Sequence, residues 1–226
     1  MPERRPEGVA RALAGLPSDD AAQAAEILAG CPVIRLSAGV PYFSSSFEGA
    51  SLLLVDEGFS VIRVPLPHGT RSIITCEAGS GRVLLPPTEA EVLFGLVDSS
   101  LIAIPQTALD ELLRVPGTAR ELFDGVITTL RQEQEALGTF ANARHLERVR
   151  RKLSQLARTY GRVGRDGIRI DFPVSHTVLA EMIGSSRETV TRALDELQRA
   201  GFVARRGHTY RLLIPPTRCD SDHMAS

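Results

Sequence analysis

Cysteine is scarce in this chain. Cys31, Cys76 and Cys219 stand far apart, with no CxxC and no Cys/His cluster. That spacing supports neither a zinc site nor a disulfide framework. Long apolar runs are missing as well. None approaches the roughly 18 residues of a membrane span, and no signal peptide is visible, so no membrane partner and a cytoplasmic location are expected. His68, His145, His176 and His208 lack metal-ligand spacing, and His68, in a Pro-His-Gly turn, reads as exposed. No nucleophile–base pair, paired carboxylates or metal constellation stands out, so an enzyme is the least supported class. Lysine is nearly absent: of 26 basic residues only Lys152 is one, a bias a GC-rich genome would produce by itself.

What is present is a charge asymmetry. The 226 residues suit two small domains, and the net charge of −1 hides their difference. Residues 144–214 hold 15 basic and 7 acidic side chains, whereas residues 1–143 hold 10 and 18. A basic C-terminal third on an acidic body is what a phosphate-binding module would give.

That third carries a helix–turn–helix pattern with a basic hairpin behind it. Ser175 is a good N-cap. Val178, Leu179, Met182 and Ile183 follow at helical spacing, and Gly184 closes that helix. Ser185 or Ser186 caps the next helix, with Glu188 near its positive dipole end. Val190, Ala193, Leu194 and Leu197 form its apolar face, and Gly201 ends it. Phe202 and Val203 begin an extended run, Arg206-Gly207-His208 makes a turn, and Thr209 to Leu213 returns. Such a helix, presenting Arg and Glu from its first turns, suits the DNA major groove. Arg grips the acceptor edge of guanine, and Glu accepts from the amino group of cytosine.

The string GSSRETVTRALDEL, residues 184–197, resembles the recognition helix of the Crp–Fnr family of bacterial regulators over about forty surrounding residues. Residues 147–158 are similar to the family's helix leading into the DNA-binding domain, followed by a short loop and Ile168-Arg169-Ile170. The resemblance implies an α+β protein. Its parts would be a cyclic-nucleotide-binding-like β-roll at 1–116, a long dimerisation helix at 117–143, a winged helix-turn-helix at 144–214 and a disordered tail at 215–226. It implies a homodimer on a palindromic, GTGA-like site in double-stranded DNA, with RNA polymerase a further partner to consider. Arg187, Glu188 and Arg192 are the expected base readers. Ser175, Ser186 and Thr189 at the helix starts, and Arg205, Arg206 and His208 in the wing, are expected on phosphates. The alternative is a ligand sensor acting mainly through protein–protein contact. The closely spaced N-terminal cysteines of iron–sulfur members are absent, and no residue argues for haem.

Ahead of this module the pattern is β-rich. Val9 to Leu16 and Asp20 to Leu28 read as short helices. Short strand-like runs begin at Val33, Ala50, Ser60, Thr70, Arg82, Glu91 and Ser100, separated by Gly, Pro, Asp and His turns. Thr107 to Val115 reads as a short helix stopped by Pro116-Gly117, and a long helix begins at Thr118. Phe123, Val126, Leu130, Leu137 and Phe140 take a and d heptad positions, with Glu133 as the polar exception. So narrow a stripe fits a dimer seam, or a helix packed on its own roll, and the two are compatible.

The family's cyclic-nucleotide cassette uses a Gly-Glu pair and an Arg-Ser or Arg-Ala pair. Residues 77–105 contain neither, and Arg82 is their only cation. Arg82 is thus a weak ligand candidate and reads better as a solvated turn residue. The hydroxyl residues that some members use on the dimer helix are replaced near Glu133 and Gln134. No cofactor is certain and cAMP is not expected. A cyclic dinucleotide is the alternative ligand, with the arginines of 144–152 available for its phosphates.

Overall fold

The computed structural model describes residues 7–66, 72–142 and 144–213, without the side chains of 132, 133 and 135–142. The expectations on His68, on Cys219 and the tail, and on the side chains of Glu133, Leu137 and Phe140 lie outside the described residues. The chain is α+β and forms two compact units, Met1–Ala143 with Glu181–Gly184, and Arg144–Ala180 with Ser185–Ser226.

The first unit opens with α1 (Glu7–Ala12) and α2 (Ser18–Ala29). The first of these ends at Ala12, short of the expected Leu16. Eight strands follow: β1 (Val33–Leu36), β2 (Pro41–Tyr42), β3 (Ala50–Glu57), β4 (Phe59–Pro65), β5 (Ser72–Gly79), β6 (Val83–Leu84), β7 (Val92–Gly95) and β8 (Ser99–Pro105). They form two antiparallel four-stranded sheets, ordered β1-β8-β3-β6 and β2-β7-β4-β5. β3 pairs with β8 so that Leu53 faces Ala103 and Leu54 faces Ile102. Successive strand residues point to opposite faces. Leu53, Val55, Leu101 and Ala103 therefore enter a core between the sheets, with Leu36, Ile62, Leu84 and Leu93. Leu52, Leu54, Ile102 and Ile104 enter a second core with Val9, Ala24, Leu28 and Leu112 of the helices. Both faces are covered, which is why Leu52-Leu53-Leu54-Val55 reads as a continuous apolar run rather than an alternation. Each such Leu contributes ~1.5–3 kcal/mol by leaving water.

Then come α3 (Gln106–Leu112) and the 25-residue α4 (Thr118–Asn142). Between them Gly117 takes φ +81°, a region L side chains avoid. The Thr118 hydroxyl donates to the Val115 carbonyl at 2.7 Å. Along α4, Gly125 lies hard against β6, since a Cβ there would sit 2.4 Å from Val83 Cγ2. Thr129 Oγ1 donates to Val83 O at 2.8 Å, fixing the same turn. This approach turns Leu122 and Val126 onto the core beneath the helices. Val126 thus packs in part on its own roll, which the heptad reading allows alongside a seam. Phe123 stays 65% exposed and Leu130 40% exposed.

From His145 onward the chain forms α5 (His145–Tyr160), β9 (Gly161–Gly164), β10 (Gly167–Ile170), α6 (His176–Ile183), α7 (Arg187–Arg199), β11 (Val203–Arg206) and β12 (Thr209–Leu212). Val149, Leu153 and Leu156 of α5, Val190, Leu194 and Leu197 of α7, and Ile170, Val203 and Tyr210 are all buried. The four strands form one sheet, ordered β11-β12-β10-β9. β9 replaces the expected loop. Its Gly-Arg-Val-Gly sequence is too polar and glycine-rich to read as a strand, yet it pairs antiparallel with β10 from Gly161↔Ile170 to Gly164↔Gly167. No helix among the described residues is long and apolar enough to cross a membrane.

Candidate nucleic-acid interface

The turn between α6 and α7 is built by capping. The Ser175 hydroxyl accepts from Val178 N–H at 3.1 Å, satisfying a first-turn donor of α6. Gly184 takes φ +61°, and Ser185 N–H reaches back to Ala180 O at 2.9 Å, closing α6 in a Schellman-type end. Two residues on, Ser186 caps α7 and accepts from Thr189 N–H at 3.2 Å. Of the two serines left open by the sequence, Ser186 is the cap. The Ser185 hydroxyl instead meets His145 Nδ1 at 3.1 Å, tying the turn to the start of α5. The C-terminal end of α7 repeats the device: Gly201 has φ +68°, and Phe202 N–H donates to Leu197 O at 3.0 Å.

These caps set which side chains α7 presents. Val190, Ala193, Leu194 and Leu197 are buried. Arg187, Glu188 and Arg192 are exposed on the first two turns, so one surface carries all three expected base readers. Glu188 is held below the usual carboxylate range, first by its own backbone amide, then by the Ser186 hydroxyl, with Arg187 and Arg192 adding to the effect. It therefore stands ionised at neutral pH, as an acceptor. Ser175, Ser186 and Thr189 gather at the two helix starts, where free amides and the helix dipole favour anions.

The wing lies on β11 and β12, joined tightly from Arg206 to Thr209 with Gly207 at φ +62°. Arg205, Arg206 and His208 are exposed there. Arg205 is partly committed: its Nε donates to Gly207 O at 2.7 Å, and its guanidinium lies 5.9 Å from the Tyr210 ring centre. Arg206 makes no such side-chain bond among the described residues. Burial raises the Tyr210 hydroxyl above its ordinary value.

Charge pairing separates two groups of arginines. Arg162 and Arg169 both pair with Asp171, and Arg211 pairs with Asp166 at 3.0 Å. On α5, Arg151 pairs with Glu147 at 3.0 Å, and Arg150 lies over the Phe202 ring at 5.1 Å. Among the described residues, Arg187, Arg192 and Arg206 have no carboxylate partner. Arg187 and Arg192 on α7 act on Glu188 through space without a salt bridge, and Arg206 stands at the wing tip. In the first unit, Arg82 is half-exposed in the turn after β5, where its amide donates to Gly79 O at 3.1 Å.

Sequence reasoning missed His176 and Thr191. His176 Nδ1 lies 2.7 Å from Thr191 Oγ1, bridging α6 to α7. Nothing in the spacing of two residues on different helices announces that contact.

Residues 147–216 match the family model of the Crp-like helix-turn-helix domain. The global nitrogen regulator of Synechococcus elongatus is 34% identical over 93 residues, 41% of this chain and 42% of its own length. The chain spans less than half the length of this regulator and of its Synechocystis counterpart, at 42% and 47%. The regulatory protein CysR of Synechococcus elongatus is 29% identical over 188 residues, covering 68% of this chain and 87% of that protein. Among solved structures, a CooA mutant from Carboxydothermus hydrogenoformans aligns with a TM-score of 0.70 at 16% identity, over 83% of this chain and 85% of its own. The c-di-GMP responsive global regulator CLP of Xanthomonas campestris aligns with a TM-score of 0.63 at 22% identity, over 86% and 100%.

Proposed function

The C-terminal domain of this chain belongs to the Crp-like helix-turn-helix family and the chain has the fold of the Crp–Fnr regulators, and from that premise we propose that it is a homodimeric, sequence-specific DNA-binding transcription regulator. The observation that carries the proposal is the set of exposed cations that form no salt bridge among the described residues. Arg187 and Arg192 stand on α7 and Arg206 on the wing, while Arg162 and Arg169 share the Asp171 carboxylate and Arg211 pairs with Asp166. A phosphate backbone rewards cations left without a partner, and guanine edges take arginine bidentately. Arg187 and Arg192 then read guanines and Glu188 a cytosine amino group, within a GTGA-like half-site. Two copies joined through α4 set their recognition helices ~34 Å apart, one turn of the duplex, so the site is palindromic. The exposed Phe123 and Leu130 support that seam.

The β-roll is proposed not to bind cAMP. The β6–β7 connection, residues 85–91, forms no helix that could present aligned amides, and it includes Pro86 and Pro87, which have no N–H to offer. A buried phosphate lacking paired cations or aligned donors is costly. A cyclic dinucleotide is the ligand class to screen first.

The proposal is tested by fluorescence anisotropy on a GTGA-type palindrome and a scrambled duplex of equal length, at two stated salt concentrations. Tighter binding to the palindrome, by on the order of 10³ or more at physiological salt, is the expected result. Equal binding to both duplexes would favour the second reading, a sensor whose output is protein–protein contact.

A further inference from the structure

His176, the first residue of α6, is half-buried between the two helices of the DNA-reading motif. Its Nδ1 stands 2.7 Å from Thr191 Oγ1, and that hydroxyl donates to the Arg187 carbonyl at 2.9 Å. A threonine hydroxyl has one proton to give. With that proton on Arg187 O, His176 Nδ1 must be the donor to Thr191, and Nε2 holds the lone pair. Nε2 is buried and has no hydrogen-bond partner among the described residues. The other tautomer would leave a buried N–H unsatisfied and would draw the Thr191 hydroxyl away from the Arg187 carbonyl, so both ring nitrogens favour one arrangement. Thr191 is one helical turn after Arg187 and shares its face. A chain of two hydrogen bonds therefore runs from the start of α6 to the backbone of Arg187.

We propose that His176 is a specificity-positioning residue, which acts through Thr191 to fix the first turn of α7 at Arg187 and so the aim of Arg187 at its base. This rests on the reading of Arg187 as a base contact. The reason is geometric. A bidentate arginine–guanine pair needs two N–H donors in line with two acceptors, and hydrogen bonds weaken steeply off line. Phosphate contacts tolerate a small rotation of the helix. Loosening the first turn of α7 around Arg187 therefore costs discrimination at the Arg187 base pair before it costs overall affinity.

The test uses the full chain and a duplex series in which each half-site position is varied in turn. Preference profiles are measured for wild type, Arg187→Ala, His176→Ala, His176→Asn and Thr191→Val. Asparagine carries an amide N–H close to where histidine carries Nδ1–H, and valine keeps the shape of threonine without the hydroxyl. His176→Ala and Thr191→Val should each lose roughly tenfold discrimination, within the range for one bidentate contact, at the position that Arg187→Ala abolishes. His176→Asn should restore most of it. Wild-type profiles in both His176→Ala and Thr191→Val, or uniform weakening at every position, would overturn the inference while leaving Arg187 as the reader. An Arg187→Ala profile unchanged at every position would remove the base-reading assignment, and this inference with it.

Discussion

Leu130 offers a perturbation whose effect on the assembly can be separated from its effect on the fold. It lies on α4, 40% exposed, one heptad from Phe123, which is 65% exposed. The neighbouring Leu122 and Val126 hold α4 to its own roll, so replacing Leu130 leaves that packing in place. In a two-fold interface each residue is used twice. Full burial of a leucine is worth ~1.5–3 kcal/mol, and Leu130 has 40% of its surface left to bury, so the pair contributes ~1–2.5 kcal/mol. Leu130→Glu removes that and sets like charges near the axis. The dimer should weaken roughly ten- to fiftyfold from the lost burial, and further from the like charges, with each tenfold step worth ~1.4 kcal/mol. Sedimentation velocity at micromolar protein should show monomers, circular dichroism should show an intact fold, and palindrome affinity should fall in step. An unaltered dimer in Leu130→Glu would refute the seam.

Four further outcomes are expected. Arg192→Ala should cost ~1–3 kcal/mol and relax preference at one base pair, read by the same duplex series; an unchanged profile removes Arg192 from base reading. Arg206→Ala should weaken all sequences about equally and reduce the salt slope by ~1, so a sequence-dependent effect contradicts its phosphate role. Isothermal calorimetry with millimolar cAMP should show no binding, and a micromolar Kd would show a working pocket in the roll. The last concerns pH. Burial first, then Arg205 of β11, Arg187 of α7 and His208 of the wing turn, lower the His176 pKa, with Asp195 of α7 opposing. A histidine lowered in the fold binds its proton more readily when unfolded. Its contribution to stability is thus complete above the unfolded value of ~6.5 and is lost as pH falls from there toward the lowered value. Thermal unfolding of the wild type should lose ground below pH ~6.5 relative to His176→Asn, and parallel curves would contradict this origin.

Much of the fold was legible because its signals are local. Gly184, Gly201 and Gly207 each take a positive φ, and each marks a turn visible in the sequence. The caps Ser175 and Ser186 act within three residues of their own positions. β3 and β8 announced themselves by apolar runs, although only the structure shows that the two faces of each serve different cores. What was not legible depends on partners distant in sequence. β9 forms through pairing with β10 rather than through its own composition. The close approach of Gly125 to Val83, which packs Val126 in part on the roll, has no periodic signal either. The pairing of Arg162 and Arg169 with Asp171, which separates them from the unpaired arginines of α7, depends on how β9 and β10 bring them together. The bridge from His176 to Thr191 spans two helices and leaves no periodic trace.

Site selection from a pool of randomised duplexes, with the full chain as bait, tests the dimeric reading of DNA most directly. Enrichment of a two-fold-symmetric site is expected, with GTGA-like half-sites centred about one helical turn, ~34 Å, apart. No enrichment, or a single asymmetric half-site bound by one copy, would contradict it.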